Sequence, residues 1–241
     1  MLFYETVFYF TLGNSVTQLN SDQLHAGIRA LAKDAVDAVI HWKLSRGILD
    51  AAETWPLVTQ QSNTFWQLTI TAHVNVSVLA MCRVFDQEKT ALHLLGLLQL
   101  IEKNLPLFDE AQFRERLRDN PFVESLAQSA RRPDARQLAT DIALCSKRDP
   151  LVKRLVTHRN NAVAHLSQKR RLNSTPPCAD EEITNSDFEI LLKRAVEIVN
   201  RYSSLFGAEH FSTQIIGHDD YKTVFLWVQE RVELERAKWS V

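Results

Sequence analysis

DPLVKRLVTHRNNAVAHLSQ, Asp149 to Gln168, opens with an aspartate directly before a proline. Aspartate is a good N-cap, and proline suits the first helical position, where its missing N–H costs nothing. The pair predicts a helix from Pro150 to about Gln168. At 100° per residue, Leu151, Val152, Leu155, Val156, Ala162, Val163 and Leu166 make one apolar stripe. Arg159 projects from the middle of that stripe. A guanidinium on a buried face costs several kcal/mol unless it is paired or faces a polar cleft, so Arg159 demands a partner, an interface or a site. His158 and His165 fall along one edge of the same stripe.

The rest of the composition agrees with helices. A chain of 241 residues with six glycines and seven prolines is poor in turn formers for its length. Ala, Leu, Gln, Glu, Lys and Arg are plentiful, which predicts an all-α fold, read as a single helical domain. The net charge of −1 supplies no global basic field, so any nucleic-acid contact is local. Cys82, Cys145 and Cys178 are far apart and lack ligand spacing, which argues against a disulfide framework or a zinc site and fits a reducing cytoplasm. MLFYETVFYFTLG at the start has no basic n-region and carries Glu5, so it reads as a packing segment. The apolar run Ile70–Phe85 is interrupted by His73, Asn75 and Arg83, and no membrane span is expected.

Periodicity places the other helices. Ser21 can cap a helix with Leu24, Ile28, Leu31, Ala35, Val39 and Trp42 inward, ending near Arg46-Gly47. A loop with Pro56 follows. Thr64–Phe85 contains the alternation Val74, Val76, Val78 that would suit a strand, but it runs over 20 residues without a turn signal and reads as a buried helix. Thr90 can cap the leucine-dense ALHLLGLLQLIEKN, Asp109 a short basic helix, and Asn120-Pro121 another. Residues 134–146 predict a further short helix. NSTPPCADEEITN reads as an exposed loop. Ser186-Asp187-Phe188-Glu189 predicts a capping box opening a helix that Gly207 ends, and Asp219 or Asp220 caps a last helix with the stripe Tyr221, Val224, Phe225, Val228, Val232. The core is expected from the helices beginning near 22, 64, 90, 150 and 187, as a bundle.

An arginine followed four to six residues later by a histidine is weak by itself: 18 arginines and eight histidines give roughly one or two chance matches. Here the context adds a capped helix, an apolar face, Asn160 directly after the arginine and small Ala162 and Ala164 between. With that context the chain resembles HEPN-domain proteins, whose signature is an arginine, often a polar residue, and a histidine four to six positions on; Arg159, Asn160 and His165 match it. MCRVFDQEKTALHLLGLL, Met81–Leu98, resembles the AbiU-type abortive-infection branch, in which a hydrophobic helix ends in an arginine and an aspartate before a leucine-rich helix; Arg83 and Asp86 stand at those places. The resemblance covers roughly residues 20 to 205, and only these two stretches are specific.

The resemblance implies a metal-independent endoribonuclease without cofactor, a toxin or antiphage effector, acting as a homodimer on RNA and held by an antitoxin protein. His165 would move a proton to or from the ribose 2′-hydroxyl or the leaving 5′-oxygen, typically worth about 10²–10⁴-fold. Arg159 would bind the scissile phosphate through its bidentate donors. Asn160, His158, Asn161 and Asp86 are the supporting or substrate-binding candidates. The alternative is a catalytically silent helical module that binds RNA or a protein, with Arg159 in a structural ion pair to Asp86.

Other features have plainer expectations. His73 is expected as a hydrogen-bonded core histidine. Lys169-Arg170-Arg171 could attract RNA phosphates or serve a helix C-terminus. Arg114, Arg116 and Arg118 read as a solvated face, and Asp180-Glu181-Glu182 lacks calcium-ligand spacing. Phosphate-loop, nucleophile-elbow and zinc-protease motifs are absent from the sequence.

Overall fold

Helix α1, Ser21–Thr54, opens a chain whose computed structural model describes residues 20–129, 131–159, 182–214, 217 and 219–238. The described residues are helical with no strand, which bears out the all-α expectation. After α1 come α2 (Pro56–Gln61), α3 (Asn63–Val84), α4 (Leu94–Lys103), a 3₁₀ turn (Leu105–Phe108), α5 (Glu110–Arg116), α6 (Val123–Ala127), α7 (Ala135–Cys145), α8 (Pro150–His158), α9 (Asn185–Gly207) and α10 (Tyr221–Lys238). Contacts divide the chain into two compact units: residues 1–33 with 82–210, and residues 34–81 with 211–241.

The first unit carries the larger core. Helix α9 turns Phe188, Leu191, Leu192, Ala195, Ile198, Val199, Tyr202 and Phe206 inward at helical spacing. Helix α8 packs Val152 and Leu155 against it, α4 packs on α7, and Leu24, Ile28 and Leu31 of α1 are buried. Asp141, itself buried, accepts from Arg201 at 2.5 Å and Tyr202 Oη at 2.9 Å through Oδ2, and from Gln137 at 3.0 Å through Oδ1. Every oxygen of that buried carboxylate is therefore satisfied, as a charge out of water requires.

Several caps sit elsewhere than the sequence suggests. Asn20, not Ser21, caps α1: its Oδ1 accepts from Gln23 N at 2.8 Å while Gln23 Oε1 accepts from Asn20 N at 3.1 Å. His93, not Thr90, caps α4, its Nδ1 accepting from Gly96 N. Asn120 accepts from Phe122 N at 2.9 Å, but the residues there form a turn and α6 starts only at Val123. The box that opens α9 pairs Thr184 with Asp187, two residues before the expected one. Gly207 is the last helical residue, and Ala208 takes the left-handed cap at φ 54.

Arg116 is not a solvated cation. It donates from Nε at 3.0 Å and from Nη2 at 2.8 Å to the Phe206 carbonyl and from Nη1 at 3.0 Å to Ser21 Oγ, and its guanidinium lies 3.5 Å from the Phe206 ring centroid. It closes the C-terminal end of α9, where unsatisfied carbonyls favour a cation. Burial pushes its pKa down to about 10. Arg131 serves the same end, donating to Ser204 O at 2.9 Å.

The second unit is built from the later part of α1 with α2, α3 and α10. Ile48, Ala51, Val58 and Phe225 form its core, and Trp66 and Trp55 lie 4.6 Å and 5.8 Å from the Phe225 ring. Helix α1 passes through Gly47 instead of stopping there. A Cβ at that position would collide with the Tyr221 hydroxyl, so the glycine admits α10 rather than ending α1. Pro56 starts α2 instead of lying in a loop, with the break at Trp55. Helix α3 resolves the strand-or-helix ambiguity as helix, but it is not a buried one: Phe65, Leu68, Val76 and Leu79 are exposed. By length and composition it is also apolar enough to cross a membrane. On α10, Phe225 points inward while Val224 is exposed. His73 is hydrogen-bonded as expected, its Nδ1 2.7 Å from His41 Nδ1, though only half-buried.

Candidate functional site

Asp86 lies two residues past the end of α3. Its Oδ1 accepts from Gln87 N at 2.7 Å and Glu88 N at 3.2 Å, which turns the chain away from the helix. The Gln87 side chain fixes this turn from the other side, its Nε2 donating to Phe85 O, Asp86 O and, at 3.1 Å, to Cys145 O at the end of α7. The turn is thus tied to a helix 58 positions away in sequence.

Arg159 reaches this turn from α8. Asp149 Oδ1 caps α8, accepting from Leu151 N at 2.9 Å and Val152 N at 3.1 Å, with Pro150 at the first turn as the sequence predicts. The same oxygen lies 2.9 Å from Arg194 Nη1, which also donates to Leu144 O. One turn on, Arg154 pairs with Asp187 of the α9 capping box at 3.1 Å. At the far end Arg159 Nη1 meets Asp86 Oδ1 at 2.6 Å. Three arginine–aspartate pairs therefore hold α8 along its length, and the third is the candidate site.

The pair is neither dry nor open: 27% of the Arg159 side chain and 19% of the Asp86 side chain remain accessible. Burial raises the Asp86 pKa, but the Arg159 hydrogen bond and the Gln87 and Glu88 amides outweigh it, so the carboxylate is held below its ordinary range. Both partners are charged near neutral pH. Cys82 beside them is inert, its thiol pushed up to about 12 by burial against the weaker pull of Arg159. His93 is buried and held neutral: desolvation lowers its pKa, opposed by Asp86 and by the Glu88 carbonyl.

Of the sequence candidates, the structure joins Arg159 to Asp86 and puts His158, half-buried, at the end of α8. Asn160, Asn161 and His165 lie outside the described residues, as do Lys169, Arg170 and Arg171. Gln87 and Arg194 were missed. Arg194 stands between inward Leu192 and Ala195 on α9, the same anomaly of a cation beside an apolar stripe that singled out Arg159. Among the described residues no group of three or more His, Cys, Asp or Glu side chains could hold a metal ion.

Comparison with known families finds a match over residues 21–224 to the model of the HEPN family described as AbiU2. That span takes in α1 through the start of α10 and includes both Asp86 and Arg159. No curated protein and no solved structure matches the chain.

Proposed function

For a chain that belongs to the AbiU2 family of HEPN proteins, we propose a metal-independent endoribonuclease that uses Arg159 and His165. Membership of the family suggests an abortive-infection, HEPN-type effector; the reaction is inferred from the residues. Arg159 holds a scissile phosphate and stabilises the charge that builds on it, a task for which a fixed guanidinium is suited. Asp86 keeps the guanidinium in place. The ribose 2′-oxygen attacks phosphorus, the bond from phosphorus to the 5′-oxygen breaks, and His165 carries a proton to the leaving 5′-oxygen or from the 2′-hydroxyl. Asn160, Asn161 and His158 orient the strand. The protein acts as a homodimer in the cytoplasm, needs no cofactor, and is held in check by an antitoxin protein.

The observation that carries this reading is the Arg159–Asp86 pair: charged, 2.6 Å apart, and with about a quarter of the arginine side chain open to solvent. The open part of that guanidinium is what an RNA phosphate would meet. Purified protein incubated with RNA in excess chelator tests it. Fragments ending in 2′,3′-cyclic phosphate with new 5′-hydroxyl ends are expected, because attack by the 2′-oxygen leaves those groups. Intact RNA, or cleavage only when a divalent ion is restored, would refute it.

The same ion pair also favours a second reading, a catalytically silent module that binds RNA or a protein, with Arg159 bracing α8. In that case Arg159→Ala lowers stability while His165→Ala changes neither stability nor RNA.

A further inference from the structure

The first unit contains a cavity of about 420 Å³ between the start of α1 and the segment from Gln87 through α4. That volume falls within the range of small-ligand sites, roughly 300–1,000 Å³. Its lining combines three kinds of group. Leu92, Leu95 and Leu100 give it apolar walls, and Gly27 leaves room between helices: a Cβ there would stand 3.5 Å from Leu97 Cδ1 and 3.7 Å from Leu92 Cδ1. Lys89 and Lys103 are exposed members of the lining, which contains no aspartate or glutamate, and among the described residues neither forms an ion pair. Three glutamines complete it: Gln23, Gln87 and Gln99.

We propose that this cavity binds a nucleoside phosphate, with the base against the leucines and the phosphate drawn by the positive charge of Lys89 and Lys103. Charge complementarity favours an anion, since the lining carries two lysines and no carboxylate. The apolar walls select a ligand with a flat or apolar body. The amides favour a base over an acyl chain, because they offer hydrogen bonds that the edge of a base can use and an acyl chain cannot. The Gln87 Nε2 is committed to three backbone carbonyls, so its Oε1 is the acceptor left to a ligand; Gln23 Oε1 takes the Asn20 amide, so its Nε2 is the donor left. One donor and one acceptor of fixed sense suit the edge of a base.

Gln87 adjoins Asp86 in sequence, so the cavity begins at the turn that holds Arg159. A nucleotide seated there is one unit of an RNA strand whose neighbouring phosphate meets Arg159, an assignment that rests on the ribonuclease reading. A free nucleoside monophosphate has the same chemistry.

Titration of the full chain with the four nucleoside monophosphates, with a hexanucleotide made uncleavable by 2′-O-methyl groups, and with laurate tests the proposal. Lys89→Glu with Lys103→Glu changes two exposed residues and leaves the core untouched; Gly27→Leu fills the cavity, and melting curves verify that both fold. At least tenfold weaker nucleotide binding by the lysine variant is expected, with the same loss in Gly27→Leu. A hexanucleotide bound more tightly than any monophosphate marks RNA as the source, and the reverse order marks a free nucleotide. Laurate bound in preference to nucleotides, or nucleotide binding indifferent to both variants, would overturn it. RNA cleaved with unchanged kcat/KM by the lysine variant, with no nucleotide bound by any form, removes the cavity proposal and leaves the ribonuclease standing. Nucleotide binding lost in both variants, with no cleavage under any condition, keeps the cavity and removes the ribonuclease.

Discussion

Asp86 stays ionised because Arg159 compensates its loss of water, and the turn amides at Gln87 and Glu88 supply what the arginine does not. Arg159→Ala leaves the carboxylate half-buried with amides alone, and a cost of about 1–2 kcal/mol is expected, between an exposed pair and a buried one. The Asp86 pKa is depressed in the folded chain, so its contribution is complete above the unfolded value of about 4 and disappears as pH falls through the lower folded value. Melting curves of wild type and Asp86→Asn should therefore converge as pH drops below about 4; a gap that stays constant there contradicts the assignment. Ala208 makes a separate case. A non-glycine residue at φ 54 carries strain of roughly 1–2 kcal/mol that glycine lacks, partly offset by the greater freedom of glycine in the unfolded chain. Ala208→Gly should raise the denaturant midpoint by the equivalent of about 0.5–1 kcal/mol, and a lower midpoint would show that the cap does not confine that residue. At this scale the sequence exposed Arg159 as a cation needing a partner, and the resemblance supplied Asp86. Arg116 was misread because nothing local shows that the carbonyl of Phe206, 90 positions on, lies above it.

Helix α8 shows what local chemistry can and cannot announce. Its beginning was legible from two letters, because an aspartate before a proline satisfies the first amides without help from the rest of the fold. Its attachment was not, since Arg194 and Asp187 arrive from α9 across the intervening chain. Asp149→Ala removes both the cap and the acceptor for Arg194, so a loss of about 2–4 kcal/mol is expected, more than the roughly 1 kcal/mol typical of a cap alone. Urea unfolding measures it, and a loss near 1 kcal/mol would mean that the Arg194 contact adds nothing. Helix α3 has the opposite history. Its alternating valines were outweighed correctly by length, yet its burial was overestimated, because hydropathy does not say which apolar face finds a neighbour. The α9 box was displaced by two residues since Thr184 and Ser186 both head acceptable patterns, and only the Asp187 bond to the Thr184 amide chooses between them.

Across the whole chain, scarce glycine and proline and the three-to-four residue spacing were enough for an all-α fold, while the contacts that organise it are arginine bridges between distant segments. The candidate site was legible in part: Arg159 and Asp86 meet, whereas Gln87 and Arg194 carry no local signature of their structural duties. Asp86 and Arg159 stand on either side of α4 and α7 in sequence, so the site exists only once the first unit is assembled. The AbiU2 match spans that assembly and gives it a family setting. The measurement that bears most directly on the ribonuclease is the single-turnover cleavage rate of one RNA in excess chelator by wild type and His165→Ala, with melting temperatures matched. A loss of about 10²–10⁴-fold with unchanged stability is predicted for a group that moves a proton. A His165→Ala rate equal to that of wild type, or a wild-type rate that vanishes with the chelator, would contradict it.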